Sequence, residues 1–123
     1  DLRAAALFLP GDLPILHRED VMQLTRLARR SGTVALAPAG GSGGTNGILL
    51  PTASDFYPRL GPNSFKKHLY QSIEAGLNPS VYISPGLSLD LDTWTDVEAC
   101  EALEPGLFQI LLEEVTPRWL EKV

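Results

Sequence analysis

Short apolar runs alternate with amphipathic segments along this chain, and that alternation leaves few architectures open. Apolar runs of four to six residues bounded by Gly or Pro are typical of strands, whereas apolar positions spaced three and four apart indicate helices. Strands that alternate with helices of this length predict an α/β fold, with a mainly parallel sheet and flanking helices. The predicted strands lie at 4–9, 33–37, 47–50 and 81–84, and the first two helices at 18–30 and 64–75.

The second helix follows a Gly-Pro turn. Ser64 is its predicted N-cap, because a serine oxygen there accepts a backbone N–H of the first turn. Phe65, Leu69 and Ile73 fall on one stripe, which we predict to be the buried face, and Gly76 is the predicted stop.

Beyond this helix, residues 87–92 alternate apolar and polar side chains, the pattern of a strand with one buried face. A helix is predicted from Thr93 or Thr95 to about Leu103. A final amphipathic segment then runs over 107–120, with a break at Pro117. We place a domain at 1–104 and a C-terminal helical extension at 105–123.

Composition excludes several classes of partner. The net charge is −5 and there is no basic run, which argues against nucleic acid and against an anionic membrane surface. No apolar stretch is long enough to span a membrane, and no secretion signal is recognisable. Cys100 is the single cysteine, so no intrachain disulfide can form and the cytoplasm is the default location.

The chain opens at Asp1, without an initiator Met, and enters an apolar strand within a few residues. A domain seldom starts on a central buried strand, because such a strand needs neighbours on both sides. We therefore expect the N-terminal part of the protein to be missing from this chain.

Two glycine-containing loops predict an anion site. Glycines at 40–44 let the backbone approach a ligand closely, and Thr45 follows them. Gly61 then opens the turn into the helix at Ser64, whose N-terminal N–H groups suit a phosphate or carboxylate. An acidic phosphorylated ligand held by neutral donors fits this pattern. The alternative is a flexible surface loop beside an ordinary N-cap, since no Walker A or GxGxxG spacing is present.

Carboxylates predict a magnesium site. Asp12 follows the first strand, and ligands bind beyond the carboxyl ends of strands in open α/β sheets. Asp90 and Asp92 lie two apart on a predicted strand and so share one face. Carboxylate oxygens are ligands that Mg²⁺ prefers. The alternatives are a turn residue at Asp12 and a solvated face with an N-cap at Asp90 and Asp92.

Five segments, taken in order, resemble the C-terminal half of the 2-phospho-L-lactate guanylyltransferase family, which acts in biosynthesis of the deazaflavin coenzyme F-420. Some members use phosphoenolpyruvate instead. The resemblance covers about residues 3–103, and its segments are LPGDLP at 9–14, HRED at 17–20, GGTNGILL at 43–50, RLGPNSFKKH at 59–68 and LDLDTWTDV at 89–97.

The resemblance implies a MobA-like nucleotidyltransferase fold and an enzyme that transfers GMP from GTP to the phosphate of a small phosphorylated carboxylic acid, with release of pyrophosphate. It implies Asp12 as one Mg²⁺ ligand and Asp90 or Asp92 as the other, with Asp12 and Asp92 as the catalytic pair. Thr45, Gly61 and Ser64 would hold the acid.

The family's N-terminal strand–loop–helix, which would hold guanine and triphosphate, has no counterpart in this chain. The segment after Glu104 also exceeds the matched region. It would cover the missing neighbour or pack in a homodimer, and the sequence leaves both open. Two alternative functions stay open as well: a related nucleotidyltransferase with another phosphorylated acceptor, such as molybdopterin or a sugar phosphate, and a non-catalytic anion-binding fragment.

Overall fold

A computed structural model describes residues 5–51 and 54–109, and it divides after Asp90 into two compact units. The predicted domain boundary after residue 104 stays a prediction. In the first unit the elements are β1 (Ala6–Phe8), α1 (Arg18–Leu27), β2 (Thr33–Pro38), β3 (Thr45–Leu50), α2 (Ser64–Glu74), β4 (Asn78–Val81) and α3 (Pro85–Ser88). The second unit contains α4 (Trp94–Leu103).

The strands form one sheet in the order β1-β3-β2-β4, so the predicted α/β class is confirmed. The prediction of a mainly parallel sheet is wrong for the described residues. β3 pairs antiparallel with both β1 and β2, and the parallel pair is β2 with β4. The connection at 39–44 explains the difference, because parallel neighbours need a crossover of about a dozen residues or more.

Helices cover both faces of the sheet, and each face has its own apolar core. Residues 34, 36, 48 and 50 pack towards α2, and residues 35, 37 and 49 pack towards α1 and α3, as the alternation of side chains along a strand requires. The core on the α2 side comprises Val34, Leu36, Ile48, Leu50 and Phe56. The other core comprises Leu24, Ala35, Ala37, Leu49 and Leu87.

The first strand is present, but its predicted burial is wrong. Leu7 and Phe8 are each 39% exposed, because β1 lies at an edge of the described sheet and pairs with β3 alone. Ala4, the first residue of the predicted strand, lies outside the described residues.

The N-terminus of α2 differs from the prediction. Asn63 is the N-cap residue, with a left-handed backbone (φ 61°), and Ser64 is the first helical residue. The buried stripe is polar and consists of Ser64, His68 and Ser72, while Ile73 is 66% exposed. The prediction that the apolar stripe is the buried face of α2 is therefore wrong. Hydrogen bonds allow the polar stripe to be buried without loss of partners.

The predicted stop of α2 at Gly76 is confirmed. Gly76 has a left-handed backbone (φ 72°), and its N–H donates to the carbonyl of Ile73. The N–H of Leu77 donates to the carbonyl of Ser72 at 2.8 Å. These two bonds form a Schellman motif, which satisfies carbonyls at the end of a helix.

The predicted strand at 87–92 is wrong. A short helix, α3, begins at Pro85, and the hydroxyl of Ser84 accepts the N–H of Leu87 at 3.2 Å. Proline suits the first helical turn, since its missing N–H would have no partner there. The alternation of apolar and polar residues at 87–92 reflects partial burial. Among the described residues, no strand pairs with this segment.

In the second unit, the predicted helix start at Thr93 is confirmed, with a capping box between Thr93 and Asp96. Residues 110–123, which include most of the predicted final segment and Pro117, lie outside the described residues. None of the helices described is long and apolar enough to cross a membrane.

Candidate active site

A β-bulge at the start of β3 shifts the alternation of its side chains, so that Thr45 lies on the α2 side of the sheet and Asn46 lies on the same side as Gly47. Gly47 pairs with Ala37, whereas Thr45 pairs with Pro38, so Asn46 is an extra residue. Thr45 bonds to α2, and Asn46 bonds to the segment from α3 to Asp90. Bulges are frequent beside active sites because they redirect side chains in this way.

On the α2 side, four residues form a continuous hydrogen-bonded chain. The backbone N–H of Arg59 donates to Nε2 of His68 at 2.9 Å. Nδ1 of His68 lies 2.7 Å from Oγ1 of Thr45, which lies 3.1 Å from Oγ of Ser64. The side chains of Thr45, Ser64 and His68 are all buried. The structure thus brings together two of the three predicted acid-binding residues, Thr45 and Ser64.

The ring of His68 is enclosed on its other side by Phe56, with ring centroids 5.5 Å apart. Burial lowers the pKa of His68 below its usual value of 6.5, because a charged imidazole loses its hydration there. The imidazole is therefore neutral near pH 7. The sequence analysis gave His68 no role, so its place in this hydrogen-bonded chain was missed.

Backbone hydrogen bonds attach the glycine-rich loop to the N-terminus of α2. The carbonyl of Gly43 accepts the N–H of Phe65 at 3.0 Å, and the carbonyl of Gly61 accepts that of Ser64 at 3.2 Å. The prediction that this turn aims free N–H groups at a ligand is therefore wrong for Ser64 and Phe65. Gly61 keeps a positive φ of 136°, and a Cβ there would meet nothing within 4 Å.

On the opposite face, two of the predicted carboxylates come together. Asp12 and Asp90 are both half-buried, and each offers a carboxylate oxygen within 4.8 Å of the other. Like charges this close repel unless a cation or hydrogen-bond donors lie between them. One donor is present, since Nδ2 of Asn46 donates to Oδ1 of Asp90 at 3.3 Å and to the carbonyl of Leu87 at 2.8 Å.

Asn46 is thus a positioning residue that the sequence analysis left without a role. It is buried, and its amide links β3 to the carboxylate of Asp90. A clue was present, because an amide side chain is uncommon within a strand and the glycine that follows Asn46 is a residue that often marks a nearby bulge.

Asp92 belongs to the second unit and is exposed. Its backbone N–H donates to Oδ2 of Asp96 at 2.9 Å, and that of Thr93 donates to the same oxygen at 2.8 Å. These two N–H groups lower the pKa of Asp96. One residue, Leu91, lies between Asp90 and Asp92, so their Cα atoms are at most about 7 Å apart.

A separate surface depression of about 540 Å³ lies along the outer side of α2. Acidic Asp55 and Glu74 line it together with basic Arg59 and Lys67, and none of the predicted ligand residues does. Because its lining carries both charges, this depression has no preference for an anion. The candidate anion site is therefore the one around β3.

A comparison with known protein families identifies the family of this chain. Residues 3–101 match the family model described as guanylyl transferase CofC like. The chain belongs to this CofC-like family. The match includes every predicted site residue on both faces of β3.

Relatives of this CofC-like chain have guanylyltransferase names. A 2-phospho-L-lactate guanylyltransferase of Methanothermobacter thermautotrophicus is 41% identical over 88 residues, 72% of this chain and 38% of the relative. A phosphoenolpyruvate guanylyltransferase of Rubrobacter xylanophilus is 33% identical, over 80% of this chain and 48% of the relative. A 3-phospho-D-glycerate guanylyltransferase of Phenylobacterium zucineum is 35% identical, over 94% of this chain and 53% of the relative. The chain thus spans about half the length of these relatives, or less.

The buried imidazole of this CofC-like chain predicts a loss of stability in acid. Below pH 6.5 the imidazole of His68 binds a proton in the unfolded chain but stays neutral in the folded chain, because its pKa is lowered there. The free energy of unfolding therefore falls as the pH drops towards the lowered pKa. His68 can change the free energy of unfolding by at most about 1.4 kcal/mol per pH unit. Denaturant unfolding at about pH 7.5 and about pH 5.5 measures it. His68→Gln should show a smaller loss between these conditions; equal losses would contradict the prediction.

Proposed function

We propose that the full-length protein transfers GMP from GTP to the phosphate of a small phosphorylated carboxylic acid and releases pyrophosphate. Membership of the CofC-like family is the observation that carries this proposal. The acceptor is 2-phospho-L-lactate, phosphoenolpyruvate or 3-phospho-D-glycerate, the acids in the names of the relatives. The first two would place the protein in biosynthesis of coenzyme F-420.

In this proposal the present chain supplies the acceptor side of the site. Hydroxyls of Thr45 and Ser64 and the open backbone at Gly61 bind the phosphorylated acid. Both hydroxyls are neutral, so in this proposal Mg²⁺ balances the negative charge that the acid and the triphosphate bring to the site. GTP is assigned to the part of the protein that precedes this chain in a MobA-like nucleotidyltransferase fold.

The reaction is an in-line displacement at the α-phosphorus of GTP. One phosphate oxygen of the acid forms a bond to this phosphorus, and the bond from it to the oxygen bridging to the β-phosphorus breaks. That electron pair leaves with pyrophosphate. A phosphate dianion already carries the nucleophilic lone pair near neutral pH, so the chain need not supply a general base. Its contribution is to hold the oxygen in line.

Magnesium is the proposed cofactor, and the donor set fits it. Asp12 and Asp90 offer oxygen ligands near one another, and Asn46 restrains Asp90. Asp92 follows two residues later and is the alternative ligand on this segment. Bound Mg²⁺ would neutralise negative charge on the phosphates of both substrates.

The test measures pyrophosphate release from GTP and Mg²⁺ with each of the three acids. We expect the full-length protein to release pyrophosphate with one acid at a rate far above that with GTP alone, and this chain by itself to release none. Mass spectrometry should detect the GMP–acid diphosphate in an amount equal to the pyrophosphate.

A folded full-length protein that yields no product with any of the three acids would contradict the proposal. Screening molybdopterin and sugar phosphates under the same conditions would then identify a related transferase with another acceptor. Product formed by this chain alone would contradict the division of the substrates between the two parts of the protein.

A further inference from the structure

The chain of hydrogen bonds that ends on Thr45 and Ser64 has a defined direction. It begins at the backbone N–H of Arg59, a group that can donate and cannot accept. Nε2 of His68, 2.9 Å away, is therefore the acceptor and carries no hydrogen. A neutral imidazole then has its hydrogen on Nδ1, so Nδ1 donates to Oγ1 of Thr45 at 2.7 Å.

The direction of these hydrogen bonds decides how many hydroxyl hydrogens of Thr45 and Ser64 stay available to a ligand. Thr45 and Ser64 have two hydroxyl hydrogens between them, and the bond that joins their oxygens uses one. Because Nδ1 of His68 supplies its own hydrogen to Thr45, the second hydroxyl hydrogen stays available. Within the described ranges no further acceptor bonds to either hydroxyl.

The opposite tautomer of His68 would reverse this count. Nδ1 would then accept, and Thr45 would donate its hydrogen to the imidazole. Ser64 would donate its hydrogen to Thr45 to complete the bond between the hydroxyls, and no hydroxyl hydrogen would be left. The position of one imidazole hydrogen therefore decides whether this pair of hydroxyls can donate to a ligand.

A hydroxyl donor matters here because neighbouring N–H groups are already in use. The N–H groups of Ser64 and Phe65 donate to the carbonyls of Gly61 and Gly43. We infer that the N–H of Arg59, acting through His68, keeps one hydroxyl hydrogen of the Thr45–Ser64 pair available for a phosphate or carboxylate oxygen of the acceptor acid. His68 is thus a positioning residue, and the ligand half of this inference rests on the proposed function.

The first test determines the tautomer directly. Long-range ¹H–¹⁵N correlation spectra of the full-length protein, labelled with ¹⁵N-histidine and recorded near neutral pH, distinguish protonated from unprotonated ring nitrogens. His68→Gln identifies the His68 signals by their disappearance. We expect a protonated Nδ1 and an unprotonated Nε2, whereas a protonated Nε2 would overturn the inference.

The second test removes the first donor of the chain and leaves His68 unchanged. Arg59→Pro deletes the backbone N–H, and Arg59→Ala is the matched control, because it removes the same exposed side chain but keeps the N–H. Relative to Arg59→Ala, we expect Arg59→Pro to bind the acid about tenfold more weakly or worse, the effect of losing one hydrogen bond to a charged group. Its His68 spectrum should show the Nε2-protonated tautomer.

Binding is measured by calorimetry with phosphoenolpyruvate, 2-phospho-L-lactate and 3-phospho-D-glycerate in turn. Equal affinities of the proline and alanine variants, both folded, would overturn the inference. If the wild-type protein shows the expected tautomer but binds none of the acids, the proposed function fails and the ligand assignment falls with it. The wild-type spectrum is decisive for the tautomer whether or not Arg59→Pro folds.

Discussion

Replacing Asp12 with Asn is expected to reduce GMP transfer by the full-length protein about a hundredfold or more without unfolding it. Loss of a residue that merely orients a metal ligand costs about 10- to 100-fold, so loss of a ligand itself should cost at least as much. Asn has nearly the same shape as Asp and keeps one oxygen, and Asp12 is half-buried. The measurement is pyrophosphate release with saturating substrates and Mg²⁺.

The same variant has a second readout that does not depend on turnover. Asp12 and Asp90 repel each other in the absence of a cation, because their carboxylate oxygens approach within 4.8 Å. Without Mg²⁺, Asp12→Asn should therefore melt at the wild-type temperature or above it. Addition of Mg²⁺ should raise the melting temperature of the wild type and leave that of the variant nearly unchanged.

Asp55→Asn is the matched control, since it makes the same chemical change at an exposed carboxylate outside this pair. It should keep both the activity and the response to Mg²⁺. Wild-type turnover in Asp12→Asn, or an undiminished response of its melting temperature to Mg²⁺, would remove Asp12 from the proposed metal site.

The sequence predicted the order of the first elements well, because apolar periodicity reports local structure. Residues 33–37 form most of β2, and Gly76 ends α2 as expected. Strand direction was predicted wrongly, because it depends on how the chain crosses the sheet. A loop at 39–44 that is too short for a crossover was the available signal for the antiparallel pair.

The strand β4 shows that local sequence propensity is a poor guide to the position of an edge strand. Its segment, Asn78–Val81, contains Pro79 and lacks the β-branched pattern that identifies strands from sequence, so the strand was predicted at 81–84 instead. Parallel pairing with β2 overrides this weak propensity, and proline is tolerated because β4 lies at an edge of the described sheet.

Within the candidate site, sequence reasoning found the residue types that offer charge or hydroxyls and missed those that hold them. Asp12, Thr45 and Ser64 were singled out from the sequence. His68 and Asn46 act through bonds that span 23 and 41 residues of sequence, to Thr45 and to Leu87. No local pattern encodes such contacts, and the bulge that puts Thr45 on the α2 side of the sheet is a property of the strand pairing.

The glycine at position 86 connects the stability of the first unit to this site. It lies in α3, whose Leu87 carbonyl accepts the amide of Asn46 and whose Ser88 carbonyl accepts the N–H of Gly40. A Cβ at position 86 would overlap Oδ2 of Asp20 and lie 3.0 Å from the carbonyl oxygen of Ile15. Asp20 is itself buried and accepts the N–H of His17 and the hydroxyl of Tyr82.

Gly86→Ala is therefore expected to destabilise the protein by about 2–4 kcal/mol, since overpacking costs about 1–3 kcal/mol and a disturbed buried polar group adds about as much. For a unit of this size the melting temperature should fall by about 10 °C or more. Gly11→Ala is the matched control, because a Cβ at Gly11 meets nothing within 4 Å. It should change the free energy of unfolding by less than about 0.5 kcal/mol. Equal stability of the two variants would show that α3 can move away from α1 at no cost, and then the carbonyl of Leu87 could not fix Asn46 beside Asp90.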